Sequence, residues 1–132
     1  MKTKYKEIFK LKKMLEDADI PFDWIEGWGY NNDLMRALRK EFSDPSIDRY
    51  LDRYQICYPK GSFHNEKTRW ISVIEGFGTF GADQDKLEIM GGFTPTERFY
   101  EDCEKDDVKG HLTAQNVFNR IKNNWEETNY ER

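Results

Sequence analysis

The chain is poor in the residues that usually announce a chemistry. It has two cysteines, Cys57 and Cys103, and neither belongs to a Cys-x-x-Cys pair. That pattern excludes a disulfide framework and reads as two reduced thiols. It has two histidines, His64 and His111, which lie far apart. Structural zinc sites come as close ligand pairs, so no metal and no cofactor is expected. No apolar run follows Met1, and none approaches the roughly 18 residues of a membrane span. The expected setting is therefore the cytoplasm, with no membrane partner. Apolar residues make up 37% of the 132-residue chain, below the about 45–50% of an average globular protein.

Aromatic and charged residues are plentiful. Aromatics make up 15% and charged residues 35%. Aromatic side chains carry large apolar area on few rotatable bonds, so a small core can be built from few of them. The formal net charge is -4. Residues 1–66 hold 12 Lys/Arg and 12 Asp/Glu, whereas residues 67–132 hold 9 and 13. The excess negative charge thus lies entirely in the second half. A net acidic chain is a poor general binder of phosphate backbones, so no direct nucleic-acid partner is expected.

The length suits a single domain, 1–132. Tyr5, Ile8, Leu11, Leu15 and Ala18 recur at three-four spacing and predict a helix over about 4–17, with its lysines on other faces. Pro21 ends it, and Phe22-Asp23-Trp24-Ile25 reads as a short strand. Residues 27–53 read as a helical insertion. There Asn32 could cap a helix carrying Leu34, Met35, Leu38 and Phe42, and Asp44-Pro45 could open another. Three strand-like runs follow: Tyr54–Tyr58, Arg69–Glu75 and Lys86–Met90. Thr94-Pro95-Thr96-Glu97 opens a short helical or irregular segment, and Leu112, Thr113 and Val117 set the start of a final helix. The tail 126–132 is polar and expected to fray. The expected fold class is α+β: a small antiparallel sheet of three or four strands flanked by N- and C-terminal helices, with the short helical insertion.

Few motifs suggest catalysis. Gly76, Gly78 and Gly81 match Gly-x-Gly-x-x-Gly after a strand. A dinucleotide site needs a helix starting at the third glycine, and here a loop and another strand-like run follow. His-Arg-Asp and Asp-Phe-Gly are absent, which excludes a kinase. No serine sits in a nucleophile elbow, so an enzyme is not expected. The α-β-β-β-α order matches a double-stranded-RNA-binding domain only superficially, because the last helix lacks a basic start. The remaining signal is the acidic run of Glu101, Asp102, Glu104, Asp106 and Asp107, beside Phe99 and Tyr100. It reads either as a solvated segment or as a negative patch that docks on a basic surface. Trp28, Tyr30 and Tyr50 in the insertion are candidate apolar anchors for a partner.

The phrases Ile8–Leu15, Ile20-Pro21-Phe22, Tyr54–Pro59, Val73-Ile74-Glu75, Leu87–Gly91 and Leu112–Phe118, in that order, resemble small phage and prophage proteins of low-GC Gram-positive bacteria. The likeness covers both ends and the sheet, and these are core and turn positions, so no site residue is carried over. The resemblance implies a phage accessory protein. The leading expectation is an inhibitor of a bacterial defence protein, most concretely a CRISPR–Cas effector whose basic nucleic-acid channel the acidic residues would occupy. Alternatives are a sponge for a cyclic nucleotide immune signal, and a phage structural or replication accessory protein.

Overall fold

A computed structural model describes residues 5–27, 32–42, 52–76, 79, 81–104 and 107–130. The elements run α1 (Lys6–Asp17), β1 (Asp23–Glu26), α2 (Asn32–Phe42), β2 (Arg53–Tyr58), β3 (Ile71–Gly76), β4 (Leu87–Gly91), α3 (Pro95–Glu101), β5 (Val108–Leu112) and α4 (Ala114–Tyr130). The α+β class stands. The sheet, however, has five strands, not three or four, paired antiparallel in the order β1-β2-β3-β4-β5. The missing strand was β5. Its sequence, Val-Lys-Gly-His-Leu, has little β-branched or aromatic content, and pairing with β4 makes it a strand.

Strand register sorts the side chains onto two faces. Trp24, Ile56, Val73 and Ile89 line up across four strands, as do Asp23, Cys57, Ser72 and Met90 one residue along. The first row faces the helices. Ile8, Leu11 and Leu15 of α1, and Val117 and Ile121 of α4, are fully buried in one cluster with Ile56, Ile71, Val73, Leu87 and Ile89. Ala18, expected to extend the α1 stripe, is instead the exposed residue that ends the helix. Phe9, Trp24 and Tyr54 close the core at β1, with Trp24 and Tyr54 stacked at 5.8 Å and the Lys12 ammonium 5.0 Å from the Trp24 ring.

The second face is covered at its β1–β2 end by the loop after β2. Asp23 accepts hydrogen bonds from the Gly61 and Phe63 amides, and the Arg69 guanidinium donates to the Ser62 and Phe63 carbonyls. Cys57 lies beneath, and burial pushes its thiol above the ordinary value. Gln55 donates to Ser72 Oγ at 2.8 Å, so this buried polar pair is satisfied.

The Leu11 side chain is wholly enclosed in the core cluster. Leu11→Ala should therefore lower stability by about 2–5 kcal/mol, seen as a lower urea midpoint with an unchanged slope.

Candidate functional site

Three acidic side chains organise the helix N-termini. Asp85, on the β3–β4 connection, accepts from the Lys6 and Glu7 amides at 2.8 and 3.1 Å. Glu75 of β3 accepts from the Ile8 amide at 3.1 Å. Glu7, in the first turn of α1, accepts from the Ala114 amide at the start of α4. Donors that a helix start leaves unpaired are thus met by carboxylates, which the helix dipole also favours. Glu75 is fully buried. Burial, then its hydrogen bond with Asp85, pushes its pKa to about 9, so it carries a proton at neutral pH. Burial works against the charge on Asp85, but the hydrogen bonds from Glu75 and from the two amides outweigh it and hold that carboxyl below its ordinary value. All three acidic side chains are spent on structure. Among the described residues no group of three or more His, Cys, Asp or Glu is arranged to hold a metal.

The described glycines of the Gly-x-Gly-x-x-Gly pattern also have packing reasons. A Cβ on Gly76 would stand 2.7 Å from the Arg53 Cα on the neighbouring strand. Gly81 has φ +99°, and a Cβ there would stand 3.1 Å from the His111 backbone. Gly81 leads into a single 3₁₀ turn, Ala82–Gln84, and then β4, so no helix points at a phosphate there.

The acidic run lies between α3 and β5. Thr94 caps α3, its hydroxyl accepting from the Glu97 amide while Glu97 accepts from the Thr94 amide. From this short helix Phe99 and Tyr100 project with 81% and 79% exposure, rings edge to face at 5.2 Å. Glu101 ends α3, and its carboxylate lies 3.4 Å from Lys109 Nζ. Asp102 follows in the left-handed conformation and is exposed. Glu104 is exposed, and its amide donates to Asp107 Oδ2 at 2.7 Å. The Asp102 and Glu104 carboxylates have no partner among the described residues, whereas Glu101 and Asp107 are partly spent on local structure. Trp28, Tyr30, Tyr50 and Asp106 lie outside the described residues.

Sequence reading missed the clamp that holds this ridge. Arg120 of α4 makes a two-pronged ion pair with Glu97, at 2.8 and 2.5 Å, and also donates to the Gly92 carbonyl. Lys109 adds a contact to Glu97 at 3.6 Å. Arg120 first, with burial opposing, holds the Glu97 pKa at about 2. The partners are distant in sequence, and nothing in spacing links them. Among known proteins no family model, no curated protein and no solved structure matches the chain.

The two shifted glutamates give opposite pH dependences. Glu75 binds its proton more tightly folded than unfolded. Its contribution is complete below about pH 4.5 and is lost as pH rises towards 9. Glu97 binds its proton less tightly when folded. Its contribution is complete above about pH 4.5 and is lost as pH falls through 2. Glu75→Gln keeps both an acceptor for Ile8 and a donor for Asp85. Urea titrations from pH 5 to 9 should show stability falling in the wild type and nearly flat in this variant. Parallel profiles would mean that Glu75 is ionised in the fold.

Proposed function

We propose that the chain works as a stoichiometric binding protein through the α3–β5 ridge, with Phe99 and Tyr100 as apolar anchors and Asp102 and Glu104 as charge guides towards a basic partner. The observation that carries this reading is the exposure of two adjacent large aromatics on a helix that is capped at Thr94 and clamped through Glu97. Folding alone gives no reason to hold them in water. Each offers roughly 150–250 Å² to a partner, which is the kind of anchor that dominates interface energies. The flanking carboxylates would speed encounter with a positive surface and reject acidic ones.

The resemblance to phage accessory proteins makes a bacterial defence protein the partner of choice. The concrete form is a CRISPR–Cas effector whose nucleic-acid channel offers the basic surface, with Asp102 and Glu104 standing where phosphates would lie. Glu101 takes a smaller part than its place in the acidic run suggests, because Lys109 already neutralises it.

Pull-down from a Gram-positive host lysate, with and without nuclease, should recover the same protein partner in both samples. Phe99→Ala with Tyr100→Ala should weaken capture at least tenfold without lowering the melting temperature, since neither ring supports the core. Asp102→Lys with Glu104→Lys should slow association and flatten its salt dependence. Unchanged capture by both double variants would remove the ridge from the mechanism.

A further inference from the structure

On the other side of α3 a groove of about 530 Å³ runs between that helix and α4. From α4 it is lined by Asn116, Asn119, Asn123 and Glu127, which recur at three-four spacing and so form one stripe. Asparagine is a poor choice inside a helix, because its amide competes with the backbone for hydrogen bonds. A solvated stripe would carry Glu, Lys or Gln at no such cost. Trp70 stands at the groove wall half-buried, and Arg98 comes from α3.

The polar groups divide into held and unspent. Arg120 Nε donates to Asn116 Oδ1 at 2.7 Å and fixes that amide. Gln115 donates to Asn119 Oδ1 at 2.9 Å, and the Asn119 Nδ2 hydrogens have no partner among the described residues. The Asn123 amide, the Trp70 indole N–H, the Arg98 guanidinium and the Glu127 carboxylate have no partner among the described residues. Glu97, the neighbour of Arg98, is clamped to Arg120.

We propose that this groove binds an extended peptide segment, independently of the ridge. An asparagine amide offers one donor side and one acceptor side, which complements the N–H and C=O of a main chain. Asn116 to Glu127 covers about 16 Å of helix axis, the reach of about five extended residues. The unspent charges of the described lining residues have opposite signs, Arg98 from α3 and Glu127 from the last turns of α4, so the segment carries an acidic group towards Arg98 and a basic one towards Glu127. A phosphate-bearing ligand fits less well, since Arg98 would be its one unspent cation among the described lining residues and Glu127 would repel it.

The test is panning of a random heptapeptide display library on the full chain. The expected result is enrichment of peptides that lose at least tenfold in affinity for Asn119→Ala with Asn123→Ala. These substitutions improve helix propensity, and an unchanged melting temperature would show that the fold survives. The same peptides should still bind Phe99→Ala with Tyr100→Ala, and Arg98→Ala should weaken those with an acidic end. Absence of enrichment, or peptides that bind the asparagine variant as tightly as wild type, would overturn the proposal. So would an NMR titration in which adenosine monophosphate, and none of the peptides, shifts the Trp70 indole and Asn119 amide signals.

Discussion

The seating of α1 on the sheet depends on one buried acidic side chain, Glu75. Glu75 sits on the central strand with no exposed surface, under the first turn of α1. Ionised there, it would be a buried charge facing the Asp85 carboxylate. Protonated, it accepts from the Ile8 amide and donates to Asp85, which in turn holds the first two amides of α1. Glu7 continues the series by meeting the first amide of α4. One neutral acid and two carboxylates therefore set where both core helices begin relative to the sheet. An apolar residue at 75 would leave the Ile8 amide unsatisfied under the helix.

A second polar device operates near the middle of α4. Arg120 joins that helix to α3 through Glu97 and to the end of β4 through the Gly92 carbonyl. Planar, two-pronged pairing of this kind is geometrically specific, and Arg120 is almost fully enclosed. Through it a seven-residue helix, too short to persist alone, keeps a set orientation. Both candidate surfaces rely on this clamp. The ridge presents Phe99 and Tyr100 on one side of α3, and the asparagine groove uses its other side. A binding protein that meets a partner through few residues benefits when those residues sit on a supported element, because less ordering entropy is lost on association.

Much of the architecture was legible before the structure. The α1 stripe from Tyr5 to Leu15, the break at Pro21, the segment opened at Thr94-Pro95 and the helix start at Thr113 all follow from local spacing and turn chemistry. The acidic run was equally plain, and so was its neighbourhood to Phe99 and Tyr100. β5 was hidden, because a strand with Lys, Gly and His at its centre is created by its neighbour and not by its own propensity. The limit of the acidic run was hidden too. Nothing local says that Lys109 turns back onto Glu101, or that Glu104 and Asp107 bond each other across a turn.

The sequence by itself determined the α+β class, the two core helices and most strands, since these rest on the periodicity of apolar residues along the chain. Tertiary structure alone decided the state of each polar group. Glu75 is neutral because β3 places it beneath α1 beside Asp85, and Glu97 is strongly acidic because α4 brings Arg120 to it. Exposure was decided in the same way. Trp24 and Tyr54 stack against the core while Phe99 and Tyr100 face water, although all four are aromatic residues near charged ones. Burial, charge state and pairing depend on partners distant in sequence, and only the folded chain brings those partners together.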